Sequence, residues 1–248
     1  MEKVNEYIDY LVSWLRDTTN QANCNGLIIG VSGGVDSAVV AALVKKAFPN
    51  DSLGLILPIY SKESDVVDAK AVCNAIDLDF NIVELDTTFD TIKAAISKDI
   101  KEHDAFKLAM ANTKARLRMT TLYAYAQNYG YLVVGTDNAC EWFTGYFTKH
   151  GDGGVDLVPL IHLKKSEVYE LAKALNLPNE VLTKAPSAGL IEDVNDEDEL
   201  QVSYQELEDY MDGKPVSEKA SQRIAQLHRI SEHKRNPAVK PEKKASDL

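Results

Sequence analysis

The stretch LIIGVSGGVDSAVVAAL, Leu27 to Leu43, runs from apolar residues through Gly30, Val31, Ser32, Gly33, Gly34, Val35, Asp36 and Ser37 into a second apolar run. Glycines between a strand and a helix let the backbone approach an anion, and the first helical turn presents N–H groups to it. A phosphate suits this arrangement. The ordinary P-loop, G-x-x-x-x-G-K-[ST], puts a lysine on the β- and γ-phosphates, whereas the first lysine after these glycines is Lys45. Hydroxyls, bare N–H groups and one carboxylate suit a departing pyrophosphate instead, with Asp36 on the Mg²⁺ that neutralises it. The bland alternative is a serine-capped helix start with glycines chosen for the turn. The strand before the loop and the helix after it favour the phosphate reading.

The elements that must position this loop follow from the hydrophobic pattern. Val4, Ile8, Leu11, Val12 and Leu15 recur at helical spacing and predict an opening amphipathic helix. Apolar runs at 26–32, 53–59, 79–85 and 131–136 then alternate with helical stretches at 36–48, 62–76, 88–100 and 107–128. Short apolar strands separated by helices indicate parallel βαβ units covered on both faces. The expected fold is α/β, a doubly wound parallel sheet flanked by helices, with ligands at the carboxyl ends of the strands. On the 107–128 helix the expected buried stripe is Leu108, Ala111, Ala115, Leu122 and Ala126, with Arg116 at its edge and Arg118 pointing elsewhere. Beyond residue 136 come a Gly-rich loop at 151–156, a helix at 164–175 and two final helices at 198–211 and 217–235. These C-terminal helices are expected to complete one domain spanning 1–248, with a mobile tail from about 236.

Composition narrows the class. The chain has 248 residues, 45% hydrophobic and 26% charged, with 38 acidic against 27 basic residues and a formal net charge of -11. No run approaches the ~18 apolar residues of a membrane span, and the acidic balance argues against a nucleic-acid partner. Cys24, Cys73 and Cys140 form no CxxC pair, so a disulfide framework and a structural zinc site are disfavoured. The N-terminus is acidic from its second residue and unlike a signal peptide, which suggests a cytoplasmic protein.

The hexapeptide Ser32–Ser37 resembles the SGGxDS pyrophosphate loop of the N-type ATP pyrophosphatases, which cleave ATP between the α- and β-phosphates. Together with it, NTKARLRM (112–119), VVGTDNACEWFTGYFTKHGDGGVDLVPL (133–160), KAPSAGL (184–190) and SEHKRNP (231–237) resemble ammonia-dependent NAD synthetases, in that family's order over nearly the whole chain. The resemblance implies a ligase acting on ATP, deamido-NAD and ammonia through an adenylated deamido-NAD. It assigns ATP contacts to residues 30–37, Thr136, Lys165 and Ser187, and Mg²⁺ to Asp36 and Glu141. It assigns deamido-NAD contacts to Arg116, Lys149, Asp156, His233 and Lys234, and implies a homodimer. Asp36, Lys165 and Asp156 are the residues expected to take part in the chemistry, Asp156 as a late proton acceptor. One departure stands out: Gln201 follows DEDEL where the family pattern has glycine, and the GQT before it is missing.

Glutamine-using relatives carry an extra amidase domain with a cysteine nucleophile, and only one helix precedes Gly26, so free ammonia is the expected nitrogen donor. Two other functions compete. A GMP-synthetase-like or other SGGxDS ligase would leave Arg116 and the 149–156 motif unexplained. A nucleotide-binding regulator without turnover would not need Glu141 beside Asp36.

Overall fold

The computed structural model describes residues 3–100, 103, 105–184 and 195–242. Four parallel strands, β1 (Gly26–Gly30), β2 (Ser52–Ile56), β3 (Phe80–Ile82) and β4 (Tyr131–Val134), form one sheet in the order β3-β2-β1-β4. The chain steps outward from β1 to β3 and then crosses back to lay β4 on the other side of β1. The order therefore reverses between β1 and β4, and in such sheets the crevice beyond the strand ends at that point receives ligands.

Alternate strand residues feed two cores. Leu27, Ile29, Ile56 and Val134 pack with α1 (Val4–Gln21), α2 (Val35–Ala47), α3 (Glu63–Ala75) and α7 (Lys165–Ala174). Ile28, Leu55 and Val133 pack on the opposite face with α4 (Asp86–Ile96) and α5 (Phe106–Tyr129). This double coverage explains why the strands read as unbroken apolar runs. In α2 nearly every residue from Val35 to Val44 is buried, because α1, α3 and α7 surround the faces that the sheet leaves free. Each such Val or Leu contributes roughly 1.5–3 kcal/mol of burial, so the loop at the start of α2 rests on a rigid base.

A third, smaller core joins Cys140 of α6 (Ala139–Thr144) to Leu200, Val202, Tyr204, Leu207, Ala220 and Ile224. Apart from Val202, in the turn between α9 and α10, these come from α9 (Asp196–Leu200), α10 (Tyr204–Met211) and α11 (Glu218–Ile230), which follow α8 (Asn179–Thr183) and precede α12 (Glu232–Arg235). The two expected C-terminal helices are each broken in two. Gln201 takes a left-handed conformation, φ 61°, at the end of α9, and the chain turns at Ser231 between α11 and α12. Gly145 is the docking point for that turn, since a Cβ there would lie 2.1 Å from the Ser231 Cβ.

On α5 the expected stripe holds except at its first residue. Ala111, Ala115, Leu122 and Ala126 are buried together with Met110 and Met119, but Leu108 is 54% exposed near the helix start. Among the described residues no helix is long and apolar enough to cross a membrane.

Candidate active site

The loop after β1 is held open by its own hydroxyls. Ser37 Oγ donates to Gly34 O (2.9 Å) and accepts from Ser32 N (3.2 Å), while the Ser32 and Ser37 hydroxyls lie 3.0 Å apart. Gly33 has φ 82°, and a Cβ there would meet Asp65 O and the Asp68 Cβ at 2.9 Å. Only glycine fits both that backbone and that approach to α3. The result is a bare rim at the α2 N-terminus, where the first N–H groups have no intrahelical acceptor.

Asp36 leads from this rim to a buried charge centre. Its Oδ1 accepts from Asn138 Nδ2 (2.9 Å) and its Oδ2 from Lys165 Nζ (2.6 Å). Lys165 is the first residue of α7 and only 4% exposed, and its ammonium also lies 3.5 Å from Glu141 Oε1. Asn138 fixes the other side. Its Oδ1 caps α6 by accepting from the N–H groups of Cys140 and Glu141, both at 3.0 Å, while Glu141 Oε2 accepts from Asn138 N at 3.1 Å. This reciprocal capping box aims Glu141 at Asp36.

The electrostatics follow from the burial. Burial first, and then the Asp36 carboxylate, push the Glu141 carboxyl up to about 8, against the pull of Lys165. Burial alone would lower the Lys165 ammonium, but Asp36 and Glu141 outweigh it and hold the charged form above the ordinary lysine range. One ammonium thus balances two carboxylates where a cation could replace it. Two hard oxygen donors match Mg²⁺, which takes one or two carboxylates and fills its shell with water and phosphate oxygens.

These groups line one cavity of about 310 Å³ at the switch point. Gly30, Val31, Ser32, Gly34, Val35, Asp36, Ser37, Thr136, Glu141 and Lys165 border it, and Gly33 forms the tight turn behind its rim. Ser187 lies outside the described residues. From α5, Ala115, Arg118, Met119 and Leu122 face the cavity at one-turn spacing. Arg118, expected to point elsewhere, is therefore the arginine of the pair that reaches this cavity. Its Nε donates to Leu57 O at 2.9 Å, and burial lowers its pKa.

Arg116 is exposed and belongs to a second group. Its Nε donates to Lys149 O (3.2 Å), and Lys149 Nζ in turn donates to His233 O. Lys234 Nζ donates to Gly145 O and Phe147 O at 2.7 and 2.6 Å. Arg116, Lys149, His233 and Lys234 thus gather around the 145–154 loop. Asp156 does not itself border the cavity. It is exposed beside β4, with Oδ1 accepting from Tyr123 OH (3.0 Å) and Oδ2 from Val133 N (2.8 Å). Its neighbour Val155 lines the cavity, so Asp156 lies at that edge of the site with each carboxylate oxygen accepting one hydrogen bond. Asp152, from the same Gly-rich loop, is the acid that borders the cavity, and its carboxyl is raised by burial. The aromatic pair Trp142 and Phe143 is already occupied, stacking on Phe147 and His228 at 5.2 and 4.2 Å.

Reasoning from sequence missed Arg118, Asn138, Asp152 and, from the C-terminal helices, Asp196. Asn138 had a signal, since Asn followed three residues later by Glu is a capping-box spacing. The others depend on long-range docking.

Comparison with known proteins identifies the family. The sequence matches the NAD synthase family over residues 7–238. It is 50% identical over 240 residues to the NH3-dependent NAD+ synthetase of Mesoplasma florum, covering 96% of this chain and 97% of that protein. Among solved structures, the NMN synthetase from Francisella tularensis is 43% identical with a TM-score of 0.92, covering 97% of this chain and 99% of the other. The NH3-dependent NAD synthetase from Campylobacter jejuni, in complex with the nitrate ion, is 25% identical with a TM-score of 0.81, covering 97% of this chain and 100% of the other. With a family match over nearly its full length and 50% identity across almost all of a relative, the chain belongs to the NAD synthase family.

Proposed function

We propose that this chain is an ammonia-dependent, AMP-forming ligase that converts deamido-NAD, ATP and ammonia to NAD, AMP and pyrophosphate. The observation that carries the reading is the lysine-free Ser32–Ser37 rim next to the Asp36–Lys165–Glu141 centre in one cavity at the sheet's switch point. A nicotinate carboxylate does not react with ammonia at neutral pH, because oxide would have to leave. In this reading one carboxylate oxygen attacks the α-phosphorus of ATP, the bond to the β-phosphate oxygen breaks, and pyrophosphate departs toward the rim. Ammonia then attacks the acyl carbon and AMP leaves with that oxygen.

The protein's contribution is positioning and charge. The rim's N–H groups and hydroxyls receive the pyrophosphate without rearranging, which is where preorganised donors are most effective. Lys165 is bound to carboxylates that a metal can take over, so its ammonium is available for phosphate oxygens. Asp36 and Glu141 are the residues that would hold Mg²⁺, which supplies charge neutralisation on the phosphates. Asp152, buried and raised, suits acceptance of the proton that ammonia loses on becoming an amide. Arg116, Lys149, His233 and Lys234 offer cationic and backbone groups for the anionic dinucleotide, with Asp156 further along the same side. A homodimer completing that part of the site is supported by exposed apolar side chains such as Leu108 and Ile100. The sequence is read as one functional domain, working in the cytoplasm.

A second acceptor has an observation in its favour. The 43% identical structure bears the name NMN synthetase, so nicotinate mononucleotide could take the place of deamido-NAD in the same two steps. Steady-state pyrophosphate release with deamido-NAD, with nicotinate mononucleotide and with no acceptor decides between them. The expected result is a kcat/KM at least tenfold higher for deamido-NAD. A preference for nicotinate mononucleotide would replace the substrate assignment, and acceptor-independent release would remove the ligase reading.

A further inference from the structure

Asp196 is a further carboxylate at the cavity, and it has no place in the mechanism above. It is the first residue of α9 and only 3% exposed, and it borders the cavity with Asp36, Glu141 and Lys165. Its Oδ2 accepts from Tyr204 OH at 2.9 Å, while its buried Oδ1 has no hydrogen-bond partner among the described residues. A buried carboxylate oxygen without a donor is costly, and such exceptions in folded proteins mark an unfilled ligand, ion or water position.

The surroundings hold Asp196 firmly. Asn195 caps α9 by accepting from Asp198 N (2.8 Å), Tyr204 N donates to Glu197 Oε1 (2.7 Å), and Arg223 Nε donates to Leu200 O (2.9 Å). Tyr146 OH donates to Glu199 and also interacts with the Asp196 carboxylate, without reaching Oδ1 at hydrogen-bonding geometry. Leu200 packs in the core that contains Cys140, the residue before Glu141, so α9 and α6 share a foundation. The Lys165 ammonium lies 5.1 Å from the centre of the Tyr204 ring, which ties the Asp196–Tyr204 pair to the same charge centre.

We propose that Asp196 is a positioning residue for the divalent cation at Asp36 and Glu141: its free Oδ1 accepts a hydrogen bond from water carried by that cation. The inference rests on the reading, given under the proposed function, that Asp36 and Glu141 hold such an ion. Oδ2 is already held by Tyr204 OH, which leaves Oδ1 alone to make a contact at the cavity. A contact through water satisfies that oxygen, and outer partners of this kind tune affinity by roughly 10–100-fold.

The test uses the full-length chain with Mn²⁺ as the probe and α,β-methylene-ATP, which cannot turn over. Mn²⁺ affinity is followed by electron paramagnetic resonance in the parent protein and in Asp196→Asn, Tyr204→Phe and Glu141→Gln. Asp196→Asn should weaken Mn²⁺ roughly 10–100-fold, with a melting temperature measured without metal that is unchanged or raised, since an unpaired buried charge has been removed. A purely structural role would lower the melting temperature instead. Should that variant not fold, Tyr204→Phe carries the test: it keeps the carboxylate, loses its orienting donor, and should weaken Mn²⁺ by a several-fold margin. An affinity within twofold of the parent in either folded variant, while Glu141→Gln weakens it strongly, overturns the role of Asp196 alone. If Glu141→Gln also leaves affinity unchanged, the metal-site reading falls and the inference falls with it.

Discussion

Replacing Lys165 with methionine isolates the charge balance on which the site depends. Methionine retains much of the side-chain volume but leaves Asp36 and Glu141 facing each other without the ammonium that stands 2.6 and 3.5 Å from them. At an effective dielectric constant near 20 the contact with Asp36 corresponds to about 6 kcal/mol of gross attraction, and the contact with Glu141 adds about 5 kcal/mol only where that carboxyl is ionised. Desolvation of the buried ions offsets much of that, and deleting one partner of a buried ion pair costs about 3–5 kcal/mol net. At this chain length the loss corresponds to a fall of about 6–20 °C in melting temperature. The stability of both proteins should fall as pH rises from 5 to 8, with the cost of the substitution growing only above about 8, where the parent's Glu141 ionises beside Lys165. In that window the folded protein holds a proton on Glu141, whose carboxyl is raised to about 8, while the unfolded chain has released it. The folded state therefore binds more protons and stability falls with increasing pH. Millimolar Mg²⁺ should restore more stability to Lys165→Met than to the parent, because the ion takes the position the ammonium left. Thermal melts of both proteins at pH 5, 6.5 and 8, with and without Mg²⁺, check all three statements. An unchanged melting temperature, or equal Mg²⁺ stabilisation of both proteins, would refute the counter-ion role.

Asn138→Ala removes the α6 cap and the bond to Asp36 together, and should cost about 2–3 kcal/mol in chemical denaturation while lowering kcat more than it raises the KM for ATP. Gln201→Gly should stabilise the protein by about 0.5–1 kcal/mol, an increase of about 1–4 °C, because the left-handed backbone at φ 61° suits glycine; a lower melting temperature would show that the Gln201 side chain contributes contacts of its own. Mg²⁺ binding requires the Glu141 carboxylate, so affinity should rise between pH 6 and 8 by up to roughly tenfold per unit and level off above about 8. Calorimetry in buffers of different ionisation enthalpy should show the accompanying proton release, and a flat affinity profile would argue against the buried, raised Glu141.

The sheet and its phosphate rim were legible because their signals are local. Ser32–Ser37 is contiguous, and strands covered on both faces announce themselves as apolar runs. Glu141 and Lys165 were reachable through motifs that sit at a strand exit and a helix start. Arg118 was passed over although it lies three residues after Ala115 and four before Leu122, on the face of the buried stripe, because only the distance of that face from the loop after β1, a tertiary feature, tells whether an arginine there meets the cavity. The breaks at Gln201 and Ser231 were hidden for a different reason. Helical spacing continues through both, and neither position carries the glycine or proline that usually marks a helix end. Asp196 escaped notice within an acidic run, since its burial is set by Tyr204 and by a core formed with α6, more than fifty residues earlier.

The central claim is that a carboxylate is activated by adenylation and then amidated, and the oxygen atoms report on it directly. Deamido-NAD labelled with oxygen-18 in its carboxylate is incubated with the protein, ATP, Mg²⁺ and ammonium, and the products are analysed by mass spectrometry. Attack on the α-phosphorus predicts one labelled oxygen in AMP for each NAD formed, with unlabelled pyrophosphate. Label in inorganic phosphate together with ADP, or NAD formed without label transfer to AMP, would contradict the account.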